Sequence, residues 1–406
     1  MTNSQAFSAV RISDKVYWVG AIDWNVRNFH GYQTQRGTTY NAFLVLGQKV
    51  ALLDAVKAPF KQELLSRIAS VIDPGKIDYV ISNHAELDHS GCLFDVVDEV
   101  KPEKVFASAM GVKALQAHFH RSTEVTAVKE GETLDLGGLT ATFLETRMLH
   151  WPDSMFTYLN EEKLLFSQDA FGMHLASVER FAEQIDDALL DAEAAKYYAN
   201  ILAPFSPVIG KLLTRMEKLG LPLETIAPDH GPVWGRKGPR ILEHYRRWAQ
   251  QKPTNKAVVV YDTMWNSTDV MARAVAEGIS SADCRVELLP VGGNHRSDVA
   301  TAALNAGALV IGSPTLNGGI MPTMADALSY LKGLKHRSLV TGGVFGSYGW
   351  SGESLKLLEA QLGEMGIESA GSVKATFVPG PEVLAECRGL GVKVAEALRA
   401  KLKAVQ

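Results

Sequence analysis

Cysteine is scarce in this sequence. The 406-residue chain contains three cysteines, Cys92, Cys284 and Cys387, which are widely separated and odd in number. They cannot form a disulfide framework, a Cys-x-x-Cys pair or the four-thiolate set that an iron–sulfur cluster requires. A reducing compartment is the simplest inference, and we expect the protein to be cytoplasmic.

Strong net charge, a secretory signal and a membrane span are also missing. With 41 Lys and Arg against 45 Asp and Glu, the net charge is −4, which argues against a nucleic-acid-binding protein. The N-terminus lacks the basic-then-apolar pattern of a signal peptide, and no apolar run reaches the ~20 residues that span a bilayer. We expect neither nucleic acid nor a membrane as a partner.

The composition that is present, with 46% hydrophobic residues, is that of a globular protein whose length favours two domains. Residues 250–256 are polar and include Pro253, which indicates a linker. We therefore predict domains at residues 1–251 and 252–406.

Both predicted domains are of the α/β class. In the first, strands are predicted at residues 16–19, 40–46, 50–54, 77–81, 104–108, 125–128, 140–145, 154–159, 163–167 and 225–228, with a hairpin at Gly47-Gln48 and a long helical region near 180–220. In the second, five buried-strand runs alternate with helices, at residues 257–261, 285–289, 308–312, 338–341 and 374–378. This alternation predicts a doubly wound, open five-stranded parallel sheet.

Four side chains that can bind a metal fall within the stretch Ser82-Asn83-His84-Ala85-Glu86-Leu87-Asp88-His89-Ser90-Gly91. The stretch directly follows the predicted strand at 77–81, and the carboxyl ends of strands are where open α/β sheets place their chemistry. Nitrogen and carboxylate donors without thiols suit iron, manganese or zinc. The alternative is a polar loop whose His and Asp cap the next helix.

Three more candidate ligands, His150, Asp169 and His230, each stand just beyond a predicted strand. They are far from one another in sequence. Strands that each contribute one ligand at their ends would gather these side chains at one edge of a sheet or pair of sheets. The sequence therefore predicts a metal site that includes His84.

Three loops of the second domain are rich in hydroxyl groups and glycine. The cofactor-binding candidates in these loops are Thr263, Met264, Trp265, Asn266, Ser267 and Thr268; Ser313, Pro314, Thr315, Leu316, Asn317 and Gly318; and Ser347, Tyr348, Gly349, Trp350, Ser351 and Gly352. Hydroxyls and backbone N–H groups at a helix start can hold a phosphate, and the aromatic rings can face a planar ligand. Neither the Gly-x-Gly-x-x-Gly fingerprint nor a Walker lysine is present, so flavin mononucleotide (FMN) fits better than a dinucleotide. The alternative is ordinary strand-to-helix turns.

At this point the sequence resembles the flavodiiron proteins (A-type flavoproteins) over essentially its whole length, in particular those of anaerobic, sulfate-reducing bacteria that use rubredoxin. The matching segments are Gly20-Ala21-Ile22-Asp23-Trp24-Asn25, His84-Ala85-Glu86-Leu87-Asp88-His89, Met148-Leu149-His150-Trp151-Pro152-Asp153-Ser154, Pro228-Asp229-His230-Gly231 and Gly346-Ser347-Tyr348-Gly349-Trp350-Ser351-Gly352. The resemblance implies an N-terminal metallo-β-lactamase-like αββα sandwich and a C-terminal flavodoxin-like domain.

The resemblance also implies a role for each candidate residue. One iron would be bound by His84, Glu86 and His150, and the other by Asp88 and His230, with Asp169 bridging the two; His89 would lie outside the ligand set, and His30 would be a pocket histidine, unless it is an ordinary surface-loop residue. Glu86 and Asp169 would also count as catalytic, together with His30 and Trp350. Asn317 is followed by Gly318-Gly319, where family members often carry further side-chain donors, so the flavin hydrogen bonds of that loop are open.

The expected function is an oxidoreductase that passes electrons from rubredoxin through FMN to a non-haem diiron centre, which reduces O₂ to water, NO to N₂O, or both. Carboxylate-rich ligation favours redox-active iron over zinc, and a hydrolase has no use for a flavin. The resemblance implies a head-to-tail homodimer that brings Trp350 near the partner's metal site. The alternatives are a zinc-dependent hydrolase with an appended flavodoxin domain and a non-catalytic FMN electron carrier.

Overall fold

The computed structural model describes residues 7–405, which divide into two compact units. The first unit contains residues 7–30, Thr34–Tyr197 and Pro207–Arg246, and the second contains Gly31–Gln33, Tyr198–Ser206 and residues 247–405. The predicted boundary at 251/252 stays a prediction. Within residues 7–405, no helix combines the length and apolar character needed to cross a membrane.

The N-terminal part of the chain is rich in short strands. The strands up to Pro228 are β1 (Val10–Arg11), β2 (Val16–Trp18), β3 (Ala21–Asp23), β4 (Asn28–Phe29), β5 (Tyr32–Gln33), β6 (Thr38–Tyr40), β7 (Phe43–Leu46), β8 (Val50–Leu53), β9 (Tyr79–Ser82), β10 (Lys104–Ser108), β11 (Thr126–Val128), β12 (Thr133–Asp135), β13 (Thr140–Glu145), β14 (Met155–Leu159), β15 (Leu164–Gln168) and β16 (Thr225–Pro228). The helices are α1 (Lys61–Ala69), α2 (Leu87–Ser90), α3 (Leu93–Val100), α4 (Ala109–Phe119), α5 (Asp187–Tyr197), α6 (Ser206–Leu219) and α7 (Gly238–Ala249).

Two sheets form the centre of the first unit. A seven-stranded sheet has the order β1-β2-β7-β8-β9-β10-β11, and a five-stranded sheet has the order β12-β13-β14-β15-β16. The predicted hairpin at Gly47-Gln48 is confirmed by the antiparallel pairing of β7 with β8. The predicted mixed α/β character of this domain is also confirmed.

Period-2 alternation along the strands separates two cores. In β7, Phe43 and Val45 pack among residues of the five-stranded sheet such as Phe143 and Phe166, whereas Leu44 packs toward the helices. This follows from the opposite directions of successive side chains in a strand. Helix α3 supplies Leu93, Val96, Val97 and Val100 at helical spacing to the core with Leu44.

The second unit contains a parallel sheet with helices on both faces. Its strands are β17 (Lys256–Tyr261), β18 (Arg285–Pro290), β19 (Ala308–Gly312), β20 (Thr341–Tyr348) and β21 (Glu368–Thr376). Its helices are α8 (Ser267–Ser281), α9 (Arg296–Leu304), α10 (Pro322–Leu334), α11 (Glu353–Glu364) and α12 (Pro381–Val405). The strand order β18-β17-β19-β20-β21, parallel throughout, confirms the predicted doubly wound five-stranded sheet.

Some predicted bounds were wrong. The strand expected at residues 338–341 begins only at Thr341 and continues to Tyr348, through glycines that suggested a loop. Glycine is required there by close approach, because a Cβ on Gly342 would lie 2.0 Å from the carbonyl oxygen of Leu309. The last strand runs over Glu368–Thr376 and not 374–378. The helical region near 180–220 is broken between α5 and α6 by a π-helical turn at Tyr198–Leu202 and a 3₁₀ turn at Ala203–Phe205.

The glycine in β20 gives a test of this packing. We predict that Gly342→Ala lowers the free energy of unfolding by about 1–3 kcal/mol or more, because the added methyl group collides with backbone that cannot move away easily. The matched control is Gly333→Ala in α10, where an added Cβ meets nothing within 4 Å. Replacing that helical glycine by alanine should raise the free energy of unfolding by about 0.5–1 kcal/mol. Urea unfolding would measure both, and equal effects would contradict the account.

Candidate functional site

The predicted metal ligands lie at strand ends of both sheets in the first unit. His84 follows β9 of the seven-stranded sheet, while Asp169 and His230 follow the parallel strands β15 and β16 of the five-stranded sheet. His150 stands in the turn after β13. The predicted gathering of these side chains is confirmed, since they form two groups whose donor atoms lie within 4.8 Å of one another.

The first group contains His84, Glu86, His150 and Asp169. Oδ2 of Asp169 lies 2.9 Å from Nε2 of His150 and 3.3 Å from Nε2 of His84. Oε2 of Glu86 lies 3.2 Å from each of the same two nitrogens. Two imidazoles and two carboxylates therefore converge on one point, as the ligands of one metal ion do.

The second group contains Asp88, His89 and His230. Oδ2 of Asp88 lies 3.2 Å from Nε2 of His230. The other carboxylate oxygen of Asp169, Oδ1, faces this group, 3.2 Å from Nε2 of His89 and 3.4 Å from Nε2 of His230. Because its two oxygens face different groups, Asp169 is placed to bridge two metal ions.

Contacts behind the imidazoles fix which ring nitrogen faces the centre. Nδ1 of His230 lies 2.6 Å from the carbonyl oxygen of Thr39, which can only accept, so Nδ1 carries the proton and Nε2 presents its lone pair. Nδ1 of His84 lies 2.9 Å from Asp153, whose same oxygen accepts the backbone N–H of Ala85 at 2.7 Å. Such partners orient metal-bound histidines and raise their basicity.

The pKa values of two buried carboxylates in the cluster, Asp169 and Glu86, are lowered. Burial favours the protonated form of Asp169, but the charge of His89 and hydrogen bonds with His150 and His84 hold its pKa well below the usual range. Burial likewise acts against ionisation of Glu86, and hydrogen bonds with His150 and His84 outweigh it and lower the pKa. Both effects favour the anionic form of these two carboxylates.

Unsatisfied polar atoms show that the cluster fits metal ions. Within residues 7–405, both carboxylate oxygens of Asp88 and both ring nitrogens of His89 are buried without a hydrogen bond. Burying such groups without a hydrogen bond is costly, and a cation bound among them would lower the cost. The donor set of imidazole nitrogens and carboxylate oxygens suits iron, manganese or zinc.

The predicted cofactor loops meet at the carboxyl ends of β17, β19 and β20. Thr268 and Ser347 face each other with hydroxyl oxygens 3.1 Å apart, and the N–H of Thr315 donates to the carbonyl of Ser347 at 2.9 Å. The chain crosses from one side of β17 to the other between β18 and β19. A crevice at such a switch point is where doubly wound sheets bind ligands, so the three loops fit a flavin site.

The first loop is suited to a phosphate. Helix α8 begins at Ser267, directly after Asn266 in a left-handed conformation with φ 63°. The hydroxyl of Thr263 is buried and has no hydrogen-bond partner within residues 7–405. A phosphate at the helix start would accept hydrogen bonds from this hydroxyl and from the N–H groups of the helix.

The third loop departs from expectation in one respect, because Ser347 and Tyr348 are the last residues of β20.

Comparison with known proteins matches both units. A family model described as ODP family beta lactamase matches residues 38–231, and a Flavodoxin model matches residues 259–391. The chain is 46% identical over 401 residues to a rubredoxin-oxygen oxidoreductase from Megalodesulfovibrio gigas, covering 98% of this chain and 100% of the relative. It is 45% identical over 391 residues to a nitric oxide reductase from Moorella thermoacetica, covering 95% and 98% of the two chains.

A solved structure decides the family. The crystal structure of the flavodiiron protein from Giardia intestinalis matches with a TM-score of 0.93 and 32% identity, covering 98% of each chain. This chain belongs to the flavodiiron protein family. Its curated relatives are oxidoreductases, and the expected class of enzyme is confirmed over the zinc-hydrolase alternative.

Two histidines of this flavodiiron chain are placed beside the clustered ligands. His30, predicted as a pocket residue, has a side chain that is 75% exposed, with Nε2 3.3 Å from Oε1 of Glu86. His89, predicted to lie outside the ligand set, has Nε2 among the donors of the second group. Its exclusion as a ligand stays a prediction, as do the individual ligand roles.

Sequence reasoning missed two side chains next to the flavodiiron ligands. The hydroxyl of Tyr197 donates to Oδ1 of Asp169 at 2.8 Å, and the ring centroid of His174 lies 4.7 Å from that of His230. Tyr197 is the last residue of α5, and His174 lies in a loop five residues after Asp169. Neither position carries a strand-end or motif signal, so spacing alone could not have found them.

The bridging carboxylate gives the test of this site. We predict that Asp169→Asn lowers the metal content from two ions per chain, one for each donor group, to one or less, because an amide cannot supply two anionic oxygens. Mass spectrometry of the purified protein would measure this content. The control is Asp191→Asn, since Asp191 pairs with Arg240 at 2.5 Å and belongs to neither group. Full metal content in Asp169→Asn would refute the bridging role.

Proposed function

We propose that this chain is a flavodiiron oxidoreductase that takes electrons from a rubredoxin and reduces O₂ to water, NO to N₂O, or both, with FMN and two iron ions as cofactors. The observation that carries the proposal is the carboxylate of Asp169, whose two oxygens face two separate donor groups. A flavodoxin unit in the same chain supplies an electron route that a hydrolase does not need.

The donor chemistry favours iron over zinc. Glu86, Asp88 and Asp169 bring three carboxylates to the two groups. Anionic oxygen donors stabilise a ferric state, whereas zinc has no accessible redox change. When bound, FMN would supply single-electron transfer, and the iron pair would supply binding and reduction of the diatomic gas.

The chain's own residues orient the ligands of the metal centre and place proton-bearing groups beside it, and either reduction consumes protons. Asp153 and the carbonyl of Thr39 keep His84 and His230 oriented through their Nδ1 atoms. The hydroxyl of Tyr197 holds a proton against Oδ1 of Asp169. Nε2 of His30, a largely exposed side chain, lies 3.3 Å from Oε1 of Glu86, between the cluster and solvent.

The proposal covers both gases because relatives named for oxygen and for nitric oxide reduction resemble the chain to nearly the same degree. Rubredoxin as donor is supported by the name of one relative. We further propose a head-to-tail homodimer, supported by Trp350, whose side chain is 93% exposed on the third cofactor loop. The cytoplasmic location stays a prediction.

The decisive experiment uses the iron- and FMN-loaded protein. With reduced rubredoxin, we expect steady consumption in an oxygen electrode, a nitric oxide electrode or both, and at least a ~100-fold lower rate for Asp169→Asn. Asp191→Asn should keep the wild-type rate. Normal flavin reduction without gas consumption would favour the electron-carrier alternative. Zinc at full occupancy with no iron, after growth on iron, would favour the hydrolase.

The phosphate loop predicts a selective effect on flavin affinity. We expect Thr263→Val to weaken FMN binding by about 10–100-fold, because a hydrogen bond to a charged group contributes about 1.5–3 kcal/mol. Riboflavin lacks the phosphate and is the control ligand, and its affinity should not change. Flavin fluorescence quenching in the apoprotein would measure both constants. Unchanged FMN affinity, or an equal loss for both flavins, would refute the role of Thr263.

A further inference from the structure

We propose that Gln168 is a positioning residue that fixes His150 against Asp169 in the first donor group. The inference rests on the proposed two-metal site and adds a residue that does not bind a metal itself. Gln168 is the last residue of β15 and is fully buried, at 0% exposure.

The side-chain amide of Gln168 joins the backbones that carry two ligands. Its Nε2 donates to the carbonyl oxygen of Leu149 at 2.6 Å, directly before His150. Its Oε1 accepts the backbone N–H of Asp169 at 2.7 Å. Leu149 and Gln168 are 19 residues apart in sequence, so one amide ties a turn after β13 to the end of β15.

The turn that carries His150 is partly exposed. The side chain of His150 is 14% exposed, more than those of His84, Asp169 and His230, and Met148 in the same turn is 42% exposed. A cavity of about 330 Å³, lined by Thr146, Arg147 and Leu149 among others, lies along one side of the turn.

The turn's own backbone hydrogen bonds stay local. The N–H of Thr146 donates to Ser154, that of Met148 to Trp151, and that of Leu149 to Thr146. These bonds shape the turn but do not connect it to β15. The bond from Gln168 does, and it therefore sets the position of His150 relative to the bridging carboxylate.

The backbone at Gln168 is irregular in a way that serves this contact. Its φ is 43°, in the left-handed region that side-chain-bearing residues rarely adopt. The pairing of β15 with β16 shifts register between Phe166 and Gln168. Bulges of this kind redirect a side chain next to a functional site, and here the redirected amide reaches both ligand backbones.

The inference predicts a larger loss of affinity at one metal than at the other. His150 belongs to the first donor group and not to the second. Partners that orient ligands are worth about 10–100-fold in metal affinity. Removing the amide should therefore weaken binding at the first group by about that factor. Binding at the second group should weaken less, because of the two residues that Gln168 holds only Asp169 faces that group.

The test is a Co(II) titration of metal-free protein, followed by visible absorbance. Wild type should bind two equivalents, and Gln168→Met, similar in length but without the amide, should bind one of them about 10–100-fold more weakly. Gln168→Asn, which keeps an amide, should bind that equivalent more tightly than Gln168→Met. Thermal melts of the metal-free proteins would show that each is folded.

The control is Tyr158→Phe, which removes a different hydrogen bond of the same sheet, from the Tyr158 hydroxyl to Pro222 at 2.7 Å. It should bind both equivalents normally. Wild-type affinity for both equivalents in Gln168→Met, or equal weakening of both, would overturn the positioning role. If Gln168→Met does not fold, Gln168→Ser replaces it with the same expected outcome. A wild-type protein that bound no pair of cobalt ions would instead refute the metal centre itself.

Discussion

Buried charge is the constraint on which the first unit depends. Glu86, Asp88 and Asp169 carry three carboxylates into an interior where uncompensated charge is strongly unfavourable. Imidazoles alone do not satisfy them, because both oxygens of Asp88 lack hydrogen bonds within the part of the chain that the structure describes. A pair of cations would be the simplest compensation, and their binding would then contribute to the stability of this unit.

The two-sheet scaffold explains how ligands so far apart in sequence meet. Strand β9 belongs to one sheet and strands β15 and β16 to the other, and their carboxyl ends point to the same place. Fixed contacts then remove the remaining freedom of each ligand: Asp153 holds His84, and the carbonyl of Thr39 holds His230. This rigidity is what allows a single carboxylate to face two donor groups.

The second unit is built differently, because its candidate ligand site consists of loops at one edge of a parallel sheet. Close packing of strands forces glycine into β20, where the carbonyl of Leu309 leaves no room for a Cβ at Gly342. A glycine-rich composition is also typical of loops, which explains why the predicted strand at 338–341 ended before most of β20. The glycines of this segment are required by the close packing of neighbouring strands and do not indicate a turn.

Much of the fold and most of the metal site were readable from the sequence. Apolar strands followed by His84, His150, Asp169 and His230 carry their own signal, since strand ends and ligand-type residues coincide. The hydroxyl-rich loops of the second unit likewise follow from strand–helix alternation. The doubly wound parallel sheet was expected from the same alternation of strands and helices.

The tertiary structure alone decided which groups touch. Tyr197 reaches Asp169 from a helix, and Gln168 reaches Leu149 across 19 residues, and neither contact has a local pattern. The sequence by itself determined the candidate ligands that cluster and the two-unit architecture, because these depend on residue type and periodicity. The orientation of each candidate ligand depends on contacts between side chains that form only when the two sheets pack together. Hydrophobic periodicity along the chain does not predict these contacts.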